Sequence, residues 1–287
     1  MRDRYHGRHD ALSVLLRHVM QSDARQAAAT ILADLRVREN GKNTPLGEIP
    51  ALCRPETLDD AYAVQALLRA LLERRGLGLP CGWKIGCTTA VMQAYLKIAH
   101  PCAGTLYRGT LHEGHATLQA SGYFKLGLEC EIAVRMARDF DARTDGNRAE
   151  DVAAAVGAVM ASVEIIDHRF RDFATVSVPS LVADDFFSAG CVIGEGRSLG
   201  EMGDLAALSG GFHIDGAPGE RGDGAAILGH PLNALAWLAG HLAAQGMRLK
   251  TGDVVTLGSV VKLIYPASGA RIEARFDGLP PVTLRIE

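Results

Sequence analysis

From Gly82 to its end, the 287-residue chain is broken into short apolar runs bounded by glycine and proline. This punctuation constrains the fold most, because runs this short, closed by breakers, suit strands of a sheet core better than long amphipathic helices. Strands are predicted at Gly82 to Cys87, Leu126 to Arg135, Val159 to Ile166, Gly190 to Ile193, Asp253 to Leu257 and Gly269 to Phe276. Helices interrupt them at about 149–156 and from Pro231 to Gln245. The second of these has Pro231 near its first position, Gly246 just past its end, and a stripe of Leu232, Leu235, Leu238 and Leu242 to bury. The glycine-rich stretches 208–211 and 222–224 lack a strand–GxGxxG–helix context and are expected to be turns.

Ahead of the strands the texture is helical. Ser22-Asp23 can cap a helix running to about Val37, with Ala28, Ile31, Leu32 and Leu35 at helical spacing. Thr57-Leu58-Asp59-Asp60 resembles a capping box, followed by a stripe of Ala61, Val64, Leu68, Leu71 and Leu72 and a cationic last turn closed by Gly76. The expected organisation is α+β: a flexible N-terminal extension over 1–21, a helical region over 22–78, and a β-rich catalytic domain over 79–287.

With 30 basic against 33 acidic side chains and no dense Lys/Arg block, the chain offers nothing for nucleic acid or an anionic membrane. No run approaches the roughly 20 apolar residues of a membrane span. Cys53, Cys81, Cys87, Cys102, Cys130 and Cys191 are scattered without a Cys-x-x-Cys pair, which fits free thiols in a reducing cytoplasm and a small-molecule partner.

Glu129 and Glu131 stand two residues apart in an apolar strand, so alternation sends both carboxylates to one face. Carboxylates that close repel, and a divalent cation relieves the repulsion. A solvated edge strand would also accommodate them. Glu164 lies amid hydrophobic neighbours in a second strand, and acidic residues are seldom buried unless paired or ligating; an ion pair with Arg169 is the alternative. An all-oxygen ligand set suits Mg²⁺, Mn²⁺ or Ca²⁺. Lys84, bracketed by Gly82 and Gly86, is either an edge residue reaching for water or a partly desolvated cation beside a ligand.

Together, Gly82-Trp83-Lys84-Ile85-Gly86-Cys87-Thr88-Thr89, Leu128-Glu129-Cys130-Glu131-Ile132-Ala133 and Val163-Glu164-Ile165-Ile166-Asp167-His168-Arg169 resemble the fumarylacetoacetase-like superfamily. The resemblance is to its 2-keto-4-pentenoate hydratase and 4-oxalocrotonate decarboxylase branch. Val182-Ala183-Asp184-Asp185, the Gly229 to Leu238 stretch and Lys250-Thr251-Gly252-Asp253-Val254-Val255 agree in order. The resemblance implies a mixed β-sandwich-roll core, self-assembly into oligomers, and Mg²⁺ or Mn²⁺ held by Glu129, Glu131 and Glu164. It implies Lys84 as a proton-transfer group or a cationic partner of the substrate oxygens, with Gly86, Cys102, Asp185, Ser188 and Ser259 lining the substrate; read on their own, Cys102 is equally a small apolar filler and Ser259 a turn serine. In such enzymes the cation stabilises an enolate of a 2-hydroxydienoate or 2-keto acid. Two positions depart from the branch: Cys102 stands where an acidic residue is common, and Asp185-Phe186-Phe187 replaces asparagine and small residues.

The expected function is a lyase of aromatic-compound breakdown, hydrating 2-hydroxy-2,4-dienoates. Decarboxylation of a 2-keto diacid is the alternative, followed by acylpyruvate C–C hydrolysis and a non-catalytic ligand-binding role.

Overall fold

A computed structural model of the protein describes residues 21–38 and 44–287. The expected extension lies outside these residues apart from Gln21, which belongs to the first helix. The elements in chain order are α1 (21–37), α2 (Leu58–Leu72), β1 (Pro80–Gly86), α3 (Ala90–Leu96), β2 (Cys102–Tyr107), β3 (Leu111–Glu113), β4 (His115–Leu118), β5 (Leu126–Met136), α4 (Ala149–Ala153) and β6 (Val156–Asp167). They continue with α5 (Val178–Ala183), β7 (Ser188–Ile193), α6 (Leu199–Met202), β8 (Ser209–Ile214), β9 (Ala217–Asp223), α7 (Pro231–Ala244), β10 (Val254–Ser259), β11 (Arg271–Phe276) and β12 (Val282–Ile286).

The strands form a seven-stranded sheet, ordered β2-β1-β10-β5-β6-β7-β3, and a five-stranded sheet, ordered β4-β12-β11-β8-β9. Three pairings, β1–β10, β3–β7 and β4–β12, are parallel and the rest antiparallel. Alternation along β5 and β6 sorts their side chains. Leu128, Cys130, Ile132 and Val134, with Val159, Ala161, Val163 and Ile165, pack against Ile272, Ala274 and Phe276 of β11, Val282, Leu284 and Ile286 of β12, and the leucine stripe of α7. The intervening residues, Glu129, Glu131 and Glu164 among them, point the other way. On that side the large sheet curls until β2 meets β7. Cys81, Leu106, Ala133, Met160, Cys191, Ile193 and Val254 fill the closed part of this roll. The predicted sandwich-roll is what the chain adopts.

Helices α1, α2 and α5 cap the open part through Leu32, Leu35, Val64, Leu68, Leu72, Leu181 and Val182, which pack with Cys87, Cys102, Ile166 and Phe187 in one cluster. The helical lead-in is thus continuous with the wall of the roll. Thr57 caps α2, its hydroxyl accepting the Asp60 N–H at 3.1 Å, a contact of about 1 kcal/mol. Asp60 also pairs with Arg25, joining α2 to α1.

The six predicted strands are present, each within a few residues. The stretches expected to be turns are instead largely strand: Ser209–Ile214 and Ala217–Asp223 form a hairpin. Their glycines serve close packing. A Cβ on Gly210 would lie 2.2 Å from Cδ1 of Phe276, whose ring lies against the bare backbone. β2, buried along its whole length, has no apolar alternation and was not predicted; β12 alternates Val282, Leu284 and Ile286 with Thr283 and Arg285 and was missed despite that signal.

Candidate metal centre and active site

The β5–β6 register sets Glu129 directly opposite Glu164, and Glu131 follows one pleat further along β5. One carboxylate oxygen from each of the three lies within 4.8 Å of the others. Glu131 and Glu164 are buried and Glu129 is partly exposed, so the cluster reaches solvent through Glu129. An Oε of Glu131 accepts the Gly258 N–H at 3.0 Å. Both oxygens of Glu164 are buried without a hydrogen-bond partner among the described residues. Its one close partner among them is the ammonium of Lys84, 3.2 Å from Oε1; buried polar atoms are almost always satisfied, so a carboxylate with this little satisfaction at the centre of an acidic cluster fits a ligand position.

Lys84 enters from β1, buried, with Nζ 3.2 Å from Oε1 of Glu164. The alternative partner for Glu164 is ruled out by geometry, since Arg169 places its Nε 2.9 Å from Asp184. Burial opposes the lysine's charge, but the attraction of Glu164, Glu129 and Glu131 outweighs it and holds its pKa above the ordinary value. Burial, then the charge of Glu164, pushes Glu129 up to about 7. Burial, then Glu164 and Glu129, raises Glu131 well above the usual carboxylate range. One cation cannot neutralise three carboxylates, and the remaining negative charge favours a dication. The three all-oxygen donors fit Mg²⁺, Mn²⁺ or Ca²⁺ and leave coordination positions open for a ligand.

The other expected site residues divide. Gly86 lines the space beside Lys84: a Cβ there would lie 3.3 Å from the lysine Nζ and 3.6 Å from the ring of Phe186. Cys102, opposite Gly86 across the β1–β2 ladder, is buried in the apolar cluster with Cys87, Ile166 and Phe187, the setting of a small hydrophobic filler.

Asp185, Ser188 and Ser259 are engaged elsewhere. Asp185 receives Nη1 of Arg36 at 2.7 Å on one carboxylate oxygen and the Thr105 N–H at 3.1 Å on the other. Ser188 contributes its carbonyl, which accepts from Arg36 at 2.8 Å and Arg169 at 3.1 Å. It lines a cavity of about 380 Å³ at the seam where β2 meets β7, together with Arg36, Thr105 and Tyr107. The Ser259 hydroxyl lies 2.7 Å from the Val261 carbonyl and 3.1 Å from that of Cys130, closing a turn. In this arrangement the Asp185 carboxylate, the Ser188 carbonyl and the Ser259 hydroxyl each have a partner within the chain.

Sequence reasoning missed the device that shapes this wall. Asp185, Phe186 and Phe187 all have positive φ, at 50°, 49° and 68°, a conformation costing on the order of 1–3 kcal/mol for each non-glycine residue. Two buried arginines hold the turn: Arg36 and Arg169 both donate to the carbonyls of Asp184 and Ser188 on either side of it. The result is that Phe186 faces the site, its ring centroid 5.4 Å from Nζ of Lys84. The Asp-Asp-Phe-Phe run was visible in the sequence, but its partner Arg36 lies 149 residues away and carried no local signal.

Residues 108–287 match the family described as fumarylacetoacetate (FAA) hydrolase C-terminal. A 2-hydroxyhexa-2,4-dienoate hydratase of Comamonas testosteroni is 33% identical over 225 residues, covering 78% of this chain and 84% of that protein. A 4-oxalocrotonate decarboxylase of Pseudomonas putida is 32% identical over 229 residues, 80% of this chain and 85% of the relative. Among solved structures, the 4-oxalocrotonate decarboxylase of Pseudomonas putida G7, complexed with magnesium and adipate, superposes with a TM-score of 0.84 at 29% identity, covering 93% of this chain and 98% of that one. A glutamate-lined centre at the mouth of a curled sheet, a full-length structural match and a family match over most of the chain agree: the protein belongs to the fumarylacetoacetate hydrolase family.

Proposed function

We propose that the protein is a divalent-metal-dependent lyase that hydrates 2-hydroxy-2,4-dienoates, in the manner of a 2-keto-4-pentenoate hydratase. The observation that carries this reading is a buried, charged lysine 3.2 Å from a glutamate whose oxygens are otherwise unpartnered, inside a cluster of three carboxylates. The hydratase relatives, at about 30% identity across most of the chain, support it.

Glu129, Glu131 and Glu164 would hold Mg²⁺ or Mn²⁺, which when bound supplies an electron sink for the negative charge developing on the substrate 2-oxygen. The chain's own residues supply the rest. Lys84, kept in its ammonium form by the glutamates, donates to the substrate oxygens and holds a proton at Nζ beside the reacting carbons. Gly86 leaves room for the substrate backbone next to that ammonium. Phe186 and the buried cluster behind it limit water entry from the side of the roll. The reaction adds one water: the hydroxyl joins C4, and the 2-hydroxyl proton and the water's second proton end on C3 and C5.

Decarboxylation of a 2-keto diacid is the second reading, favoured by the structural likeness to the decarboxylase. Acylpyruvate hydrolysis is less supported, because residues 21–83 contain no histidine for an activating His–Glu pair. We extend the proposal to a self-associating enzyme of aromatic-compound breakdown in a reducing cytoplasm, in keeping with the six free thiols. Among the described residues, no helix is long and apolar enough to cross a membrane.

The test is the dienol absorbance of a 2-hydroxy-2,4-dienoate incubated with the purified protein and Mg²⁺ or Mn²⁺. Loss of absorbance with formation of a 4-hydroxy-2-keto acid, abolished by Glu164→Gln, is the expected result. Unchanged absorbance rejects the hydratase reading, and CO₂ release from a 2-keto diacid would replace it with the second.

A further inference from the structure

Beside Lys84, Phe186 belongs to an apolar group of side chains. Phe186 packs edge-on against Phe187, with ring centroids 5.6 Å apart. Leu263 lies over β5, where a Cβ on Gly127 would come within 3.0 Å of its Cδ1 and 3.5 Å of Ile166. Phe186, Leu263, Met92 and Ile166 belong to one cluster. Of the neighbouring cations, Lys125, just before β5, has its ammonium 3.9 Å from the Tyr265 ring centroid; Arg135, near the far end of β5, donates to Glu113; and Lys262, beside Leu263, is exposed. His168, the other ionisable group behind Phe187, is held neutral: burial and then the charge of Lys125 lower its pKa to about 4.

We infer that Phe186, with Leu263, is the specificity-determining wall of the site and selects 2-keto acids whose far end is an apolar carbon over those ending in a second carboxylate. A terminal carboxylate laid against these side chains would lose its water and gain no hydrogen-bond donor from them, and unpaired buried charge is strongly disfavoured. An alkyl end would instead bury its methylenes against Phe186 and Leu263. The positive φ of Phe186 fixes the ring there, since the flanking carbonyls of Asp184 and Ser188 are tied to Arg36 and Arg169.

The inference rests on the site being a 2-keto acid centre, and a binding experiment separates it from the proposed reaction. Calorimetry on the Mg²⁺-loaded protein compares 2-oxohexanoate with 2-oxoadipate, two six-carbon acids that differ in a terminal methyl or carboxylate. The expected result is at least tenfold tighter binding of 2-oxohexanoate, about 1.4 kcal/mol, falling below threefold in Phe186→Ala. If that variant folds poorly, Phe186→Asn gives the same readout, because asparagine tolerates the left-handed backbone. Equal affinities in the parent protein, or tighter 2-oxoadipate, overturn the inference. Discrimination that persists in both variants assigns it to other residues and also overturns the role of Phe186. Failure to bind either acid removes the keto-acid site itself, whereas discrimination without turnover of dienoates leaves the wall standing and rejects only the hydratase reading.

Discussion

Replacing Glu131 by glutamine separates a metal ligand from a structural acid. In the metal-free protein, burial together with the charges of Glu164 and Glu129 drives Glu131 toward its protonated form. Glutamine mimics that form and keeps an oxygen to accept the Gly258 N–H. Metal-free Glu131→Gln is therefore expected to be within about 1 kcal/mol of the parent, or more stable, because one source of repulsion is gone. The difference appears on adding the cation. A ligand present at a hundred times its Kd stabilises the folded state by about 2.7 kcal/mol. For a chain of this size, at about 2 °C per kcal/mol, that raises Tm by about 5 °C. The parent protein should show this shift with Mn²⁺ and lose it with a chelator, while Glu131→Gln should show a shift of about 1 °C or less. Thermal unfolding with and without 100 Kd of Mn²⁺ measures both quantities. A metal-free variant destabilised by more than about 2 kcal/mol, or one that keeps the full metal-dependent shift, would refute the reasoning.

Three further outcomes follow from the same geometry. Lys84→Met keeps the buried volume but removes the only cation among the described residues in contact with Glu164, so kcat should fall by about 10²–10⁴ while Mn²⁺ binds more tightly; parallel loss of both would point to misfolding. Arg36→Ala breaks a buried pair with Asp185 and frees the strained turn, which should cost about 3–5 kcal/mol in denaturant unfolding and raise KM for the dienoate; an unchanged unfolding midpoint would contradict the clamp. His168, with a folded pKa lowered to about 4, stays neutral in the native state while the unfolded chain takes up a proton, so stability is lost as pH falls from about 6.5 toward 4. His168→Phe should flatten that acid limb in pH-dependent melts, and an equally steep limb would assign the loss to other groups, such as His241, whose pKa is likewise lowered to about 4.

Much of the site was legible because strand periodicity is a local property. Glu129 and Glu131 had to share a face, and their apolar surroundings made that face buried; the structure adds that the β5–β6 register brings Glu164 opposite Glu129. Lys84 could be noticed from its glycine brackets, but the choice between edge residue and buried cation depended on the sheet curling until β2 reached β7, which no local spacing encodes. The same limit explains Asp185. The sequence placed it against the substrate, whereas its carboxylate meets Arg36, from the first helix 149 residues earlier, and the Thr105 N–H of β2. Glycines at 210 and 211 were misread because close strand packing and turns favour the same residue. The positive φ at Phe186 has no signature in the sequence, since phenylalanine is among the residues least expected there.

The central claim is that Glu129, Glu131 and Glu164 hold a dication that presents open positions to a 2-keto acid beside Lys84. A crystal structure grown with Mg²⁺ and oxalate tests it most directly, because oxalate mimics a carboxylate next to an enolate oxygen. The account predicts one oxygen of each glutamate on the cation, oxalate in the open positions, and Nζ of Lys84 within hydrogen-bonding distance of an oxalate oxygen. A cation bound elsewhere, or oxalate bound away from the three glutamates, would contradict it.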